Sequence, residues 1–249
     1  MIMFDLHNHI LPGVDDGAKD MTEALALLQL AQQQGISHML ATPHLHAGRY
    51  NNSAASITEA ITALQQAASA AGIDITLAAA AEVRIGAEIL PLIEQQQMPF
   101  IGRYQGNKVL LLELPHSHIP AGSDKLLAWL ARHDITVMLA HPERNRDLLA
   151  APDKIQPFIK AGCLFQLTAA ALDGDMGADV KALAGQWLKQ GLYHVIASDA
   201  HSVKRRPPKL QQAYQHSCQL VGEEQARQLC MLNPAQLAEP VFSAGMLLN

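Results

Sequence analysis

Aromatic side chains are scarce, at 4% of 249 residues, while Ala, Leu and Gln dominate, a balance that favours helices. Positive charge is also in short supply. A formal net charge of −5 gives no support for a nucleic-acid partner, although a local basic patch is compatible with it. There are three cysteines, Cys163, Cys218 and Cys230, and no CxxC pair, a scattered odd set expected of reduced thiols in a cytoplasmic protein. None of them begins a C-x5-R signature, because Ala169, Glu224 and Gln236 stand where the arginine would be. Thiol-based tyrosine phosphatase chemistry is therefore not expected. No apolar run is long enough to span a bilayer, and no basic segment precedes the first apolar run, so neither membrane insertion nor a signal peptide is expected. Linkers, repeats and low-complexity tracts are missing too. One domain over residues 1–249 is expected, at the usual length of a single α/β barrel.

What is present is an alternation of short apolar runs with longer helical patterns. Residues 2–6, 38–42, 75–81, 109–114, 135–140, 163–168 and 194–198 read as strands. Asp20-Met21-Thr22-Glu23 and Ser56-Ile57-Thr58-Glu59 read as capping boxes opening two amphipathic helices, which close near Gly35 and Gly72. A further helix is expected over 126–132. Strands that alternate with helices imply a parallel sheet, and continuous apolar character implies strands covered on both faces. Periodicity leaves open whether the sheet closes into a barrel.

Chemistry-bearing residues cluster at the carboxyl ends of these runs, where parallel α/β folds place their sites. His7 and His9 follow the first run, two apart and so on one face of a strand, with Asp15-Asp16-Gly17 in the turn beyond. His44 follows the second run, Glu82 the third, Glu113 lies within Leu110–Leu114, and His141 follows Val137–Ala140. Asp199 and His201 end the last run with the same two-residue spacing. A carboxylate in such apolar company needs a partner. Taken together, His7, His9, Asp16, His44, Glu82, Glu113, His141, Asp199 and His201 are nine candidate ligands of the His-and-carboxylate type that suits manganese, iron or zinc. One ion takes roughly four to six donors, so nine suggest two or three divalent ions. Closely spaced ions suit in-line displacement at phosphorus, since they lower the pKa of a shared water from about 16 towards about 7.

Arg144 and Arg206 are tethered to the His141 and His201 loops, and a guanidinium is the planar fork that fits phosphate oxygens. Of the other histidines, His116 and His118 are expected on a substrate-side loop. His38, His133, His194 and His216 are expected to be structural or solvated. Asp173-Gly174-Asp175 lacks the Thr or Val that a DxD phosphatase nucleophile needs two residues on, since Gly177 stands there.

The ordered set HNH, DDG, TPH, AE, LLEL, AHPERN, ASDAH and RRPP resembles the polymerase-and-histidinol-phosphatase (PHP) superfamily, and within it the bacterial capsule and exopolysaccharide CpsB/CapC-type tyrosine phosphatases. That resemblance implies an α/β fold of the distorted TIM-like (β/α)7 barrel type with a manganese-dependent trinuclear centre built from the nine residues above. It implies Arg144 and Arg206 as phosphate-binding arginines. It further implies hydrolysis of phosphotyrosine by metal-activated hydroxide, on a substrate that is a bacterial tyrosine autokinase tail, in capsule or exopolysaccharide synthesis. The basic stretch Lys204 to Lys209 would attract such a tail if it is acidic. Arg205 stands where Gly is expected, and Ala80 where GAE is commoner; neither change removes a ligand, and the first bears on the substrate rim. His46 and His118 are the candidates for a general acid. The alternatives are a small-molecule phosphoesterase of the same superfamily, such as histidinol phosphatase, and a catalytically silent metal-binding module docking on a kinase.

Overall fold

The structure is a computed structural model that describes residues 2–246 and 248. Its strands are β1 (Met3–Asp5), β2 (Ile36–Ala41), β3 (His44–Leu45), β4 (Thr76–Ala79), β5 (Glu82–Arg84), β6 (Gly102–Tyr104), β7 (Asn107–Glu113), β8 (Ile135–Ala140), β9 (Leu164–Thr168) and β10 (Val195–Ala197). Parallel pairing links β1-β2-β4 in one sheet and β10-β9-β8-β7-β5-β3 in a second, with β6 antiparallel to β7. The fold is thus α/β with parallel sheets. Among the described residues no helix is long and apolar enough to cross a membrane.

Each of the seven expected runs forms a strand; the expected 75–81 run is shorter, ending at Ala79. Three short strands were not anticipated. After Ala41 and again after Ala79 the chain crosses from the first sheet to the second, and β3 and β5 are the two landings. Two or three residues are too few for a periodic signal. β6 joins β7 through Gln105 (φ 50°) and Gly106 (φ 91°), the left-handed pair of a two-residue hairpin turn.

Alternation along the strands feeds two cores. Leu110, Leu112 and Leu139 pack with the helices, whereas Leu40, Ala78, Ala80, Val109, Leu111, Met138 and Val195 form an inner cluster with Leu237, Ala238 and Val241. These last three come from the helix Asn233–Ala244. Gly102 allows that helix to approach β6, since a Cβ there would lie 1.9 Å from the Leu237 carbonyl oxygen. Continuing the inward parity by two residues leads from Leu40 and Thr42 to His44, from Ala78 and Ala80 to Glu82, and from Val109 and Leu111 to Glu113. The pattern that fills the inner core therefore also stacks candidate ligands at its upper end.

The helix Met21–Gln33 starts as expected, with the Asp20 carboxylate accepting from Glu23 N at 2.9 Å. The Glu23 side chain accepts from Lys19 N at 3.2 Å, one residue before the cap. The second helix, Ala54–Ala70, begins earlier than its sequence pattern suggests. Ser53 is the cap and Ser56 the reciprocating residue, because the Ser56 hydroxyl is free to accept from Ser53 N at 2.9 Å. The expected 126–132 helix spans Ser123–Ala131. Replacing exposed Asp20 with Ala should lower stability by about 1 kcal/mol in urea unfolding, the usual worth of a carboxylate cap.

Candidate metal centre

All nine expected residues converge. His7 and His9 lie just past β1, in a segment held by Asp199 N donating to the His7 carbonyl at 2.8 Å and by His9 N donating to the Ala200 carbonyl at 2.8 Å. His44 opens β3, and its register partner in β5 is Glu82; Glu113 ends β7 opposite Arg84. His141 and Asp199 follow β8 and β10. All are buried except Asp16, whose side chain is 44% exposed and so marks the rim.

Three groups have donor atoms close enough together to hold one ion each: His9, Asp16, His44 and His201; His7, His9 and Glu82; and His44, Glu82 and Glu113. The groups share members. His44 turns Nε2 to Asp16 Oδ1 at 3.4 Å and Nδ1 to Glu82 Oε2 at 2.9 Å. Glu82 Oε2 also lies 3.4 Å from both His7 Nε2 and His9 Nε2, while its Oε1 is 2.9 Å from His141 Nε2. Asp199 Oδ1 lies 3.6 Å from His7 Nε2 and 3.5 Å from His9 Nε2.

The donor chemistry fits divalent cations. Buried Glu82 Oε2 and His44 Nδ1 lie 2.9 Å apart without hydrogen-bond geometry, and Glu113 Oε2, which has only the Arg84 ion pair, lies 3.7 Å from the same His44 Nδ1. Buried polar atoms are normally paired, and unpaired lone pairs turned towards a common centre are what a cation satisfies. Electrostatics point the same way. Burial would lower the pKa of His44, but the adjacent carboxylates of Asp16 and Glu82 outweigh it and push it up to about 11. Burial is likewise overcome at His9, where Asp15 raises the pKa to about 9. Burial and the adjacent Glu82 charge lift Glu113 to about 7. His141, buried and beside Arg144, falls to about 3, and His201, buried and beside His9, also falls to about 3. The carboxylates thus draw positive charge inward while two imidazoles, His141 and His201, stay neutral, the form in which histidine binds a metal.

Residues outside the nine hold the rings in place. Gln166 Oε1 faces His7 Nδ1 at 2.9 Å, and Asp15 Oδ2 faces His9 Nδ1 at 2.7 Å, so both rings direct Nε2 to the centre. Asp15 also accepts from His44 N at 3.0 Å. In the Asp15-Asp16 pair, then, one carboxylate orients imidazoles and the other lies at the centre. Gly17 lets this turn press against His9, whose carbonyl oxygen would sit 2.0 Å from a Cβ. Arg84 pairs with Glu113 at 3.0 Å. Gln166 has no sequence signal, because a buried amide in an apolar strand looks like any tolerated polar residue; Asp15 was visible in DDG.

Both arginines arrive at one atom. Arg144 Nη1 donates to Asp199 Oδ2 at 2.6 Å, and Arg206 Nη2 donates to the same oxygen. Asp199 therefore presents one oxygen to imidazoles and the other to guanidiniums. His141 (φ 32°) and Asp199 (φ 52°) both have left-handed backbones, a sparsely populated region for such residues that is found where surrounding contacts enforce it.

The remaining histidines sort as expected. His38 stacks on Phe4 at 4.2 Å, His133 on Trp129 at 3.8 Å, His194 accepts from Phe165 N and His216 pairs with Asp173. Of the two acid candidates, exposed His118 bonds Ser117, and its carbonyl is held by Asn145. The His46 pKa is lowered by burial and by Arg84. The His116 ring lies 6.0 Å from that of His141. Partial desolvation, Arg144 and Arg84 take its pKa down to about 4, so it is neutral at pH 7.

Residues 3–239 match the family described as Capsular polysaccharide synthesis, CpsB/CapC. The chain is 34% identical over 212 residues, 85% of its length and 82% of the relative's, to a putative tyrosine-protein phosphatase CapC from Staphylococcus aureus. It is 33% identical over 211 residues to the tyrosine-protein phosphatase YwqE of Bacillus subtilis, covering 85% of this chain and 82% of that one. It superposes with a TM-score of 0.88 and 31% identity on a chain from the crystal structures of YwqE from Bacillus subtilis and CpsB from Streptococcus pneumoniae, described as unique metal-dependent tyrosine phosphatases. That superposition covers 95% of this chain and 94% of the other.

Proposed function

Because the chain belongs to the CpsB/CapC capsular polysaccharide synthesis family, we propose that it is a metal-dependent protein-tyrosine phosphatase. The observation that carries this reading is the shared carboxylate of Asp199, with an imidazole nest on one oxygen and two guanidiniums on the other. Cations and phosphate oxygens would meet across it.

His7, His9, Asp16, His44, Glu82, Glu113, His141, Asp199 and His201 would hold two or three divalent ions; His9, His44 and Glu82 each belong to two of the three groups, while His141 and Asp199 adjoin them through Glu82, His7 and His9. Manganese is the ion proposed, with iron and zinc compatible with the donors. Bound there, such ions would activate a water and offset charge at phosphorus. Arg144 and Arg206 would take the non-bridging oxygens in a bidentate grip and orient the ester for in-line attack. Burial of the centre strengthens each of these contacts. A phenol leaves with a pKa near 10 and needs less protonation than an alkoxide, which suits a site whose neighbouring outer imidazole, His116, is neutral.

The crossing of the chain between two parallel sheets, and the backbone bonds from 7–9 to 199–200, support a distorted (β/α)7 barrel of the PHP type forming a single domain over residues 1–249. The substrate we propose is phosphotyrosine on the tail of a bacterial tyrosine autokinase, met in the cytoplasm. The test is hydrolysis of a phosphotyrosine peptide against histidinol phosphate, before and after chelation. The peptide should be turned over much faster, with activity lost on chelation and restored by manganese. Preference for histidinol phosphate would move the assignment to the small-molecule phosphoesterases. A metal-loaded protein inert on both would leave only a metal-binding module.

A further inference from the structure

A cleft of about 460 Å3 opens beside the metal centre, between residues 16–23 and the loop 202–205. Its inner end is Asp16, 3.4 Å from His44 Nε2 and 3.7 Å from His201 Nε2, so it leads directly out of the site. Its walls carry Lys19, Lys204 and Arg205, all exposed, and among the described residues none of the three forms a salt bridge.

The loop is held firmly. His201 N donates to the Arg206 carbonyl at 2.9 Å, and the Ser202 hydroxyl accepts from Arg205 N at 3.2 Å and Arg206 N at 3.3 Å. This turn separates two successive arginines. Arg206 reaches inward to Asp199, while Arg205 lines the cleft outside. The facing wall is fixed by the Gly17 turn against His9. Two carboxylates also line the cleft, but Asp16 lies in a metal-capable group and Glu23 is engaged with Lys19 N. The lining therefore sets three cations against two carboxylates, one of them in a metal-capable group, on a chain whose net charge is −5.

We infer that this cleft is a subsite for an acidic residue flanking the phosphotyrosine of a protein substrate, and that Arg205 is the residue that selects it. The inference rests on the phosphatase reading above and adds a sequence preference to it. A rim of unpaired cations acts on encounter and on substrate affinity rather than on the bond-breaking step. The preference therefore belongs in KM and weakens with salt.

The experiment compares two phosphotyrosine peptides that differ only in Glu or Gln at the flanking positions, with p-nitrophenyl phosphate as a substrate too small to reach the cleft. Exposed charge pairs are individually weak, so three together should give about a tenfold lower KM for the Glu peptide, with kcat little changed. Arg205→Ala should remove most of that difference, Arg205→Lys should keep part of it, and neither should alter p-nitrophenyl phosphate turnover. Equal KM values for the two peptides in the unmodified protein, or a preference that survives Arg205→Ala combined with Lys19→Ala and Lys204→Ala, would overturn the subsite while leaving the phosphatase intact. Metal-loaded protein that hydrolyses neither peptide nor p-nitrophenyl phosphate would remove the phosphatase reading, and the subsite with it.

Discussion

Glu82→Gln should lower aryl-phosphate turnover by a thousandfold or more, on the order of the largest effects seen when a preorganised electrostatic contact is removed, and should reduce bound metal measured by elemental analysis. Glu82 is at the hub of the site: its two oxygens lie within 3.4 Å of His7, His9, His44 and His141, and it belongs to two of the three metal-capable groups. Gln keeps the volume and replaces one acceptor with an amide nitrogen that binds no cation. It also removes the charge that, with Asp16, outweighs burial at His44. Circular dichroism separates this loss from misfolding, since the isostere leaves the surrounding packing unchanged. A variant with full metal content and undiminished turnover would remove Glu82 from the centre.

Arg144→Ala and Arg206→Ala should each cost on the order of a hundred- to a thousandfold in kcat/KM, with metal content retained. Their side chains are 16% and 27% exposed and meet on the same Asp199 oxygen, so they act as one clamp from two loops. The double variant should therefore fall short of the product of the two single losses, the signature of groups that share a partner. Arg206→Lys should recover little, because a point charge does not reproduce a planar fork. Inhibition by inorganic phosphate is the companion measurement and should weaken in step with the loss of kcat/KM. Unchanged turnover and phosphate inhibition in both single variants would take the pair out of the phosphate site.

The parts of this protein legible in its sequence are those written in long or repeated signals. Seven strands could be read because each is a continuous apolar run, and the ligand candidates because imidazoles and carboxylates rarely end such runs without a reason. The two landings β3 and β5 escaped because a crossing between sheets has no periodicity; only their passengers, His44 and Glu82, were visible. Gln166, and the orienting role of Asp15, escaped for a different reason. They act through the far nitrogens of His9 and His7, and a role one bond removed from the centre depends on tertiary proximity across 6 and 159 residues. The start of Ala54–Ala70 was misplaced because Ser53 and Ser56 are both competent caps, and only the backbone geometry decides between them.

The left-handed backbones of His141 and Asp199 have an evolutionary consequence. Glycine at either position would ease a conformational penalty of about 1–3 kcal/mol, yet it would delete a side chain that contacts the cluster, Glu82 for His141 and the arginine pair for Asp199. Selection for heat resistance and selection for turnover therefore pull these two positions in opposite directions, and a hardened descendant of this protein is expected to have gained its resilience elsewhere.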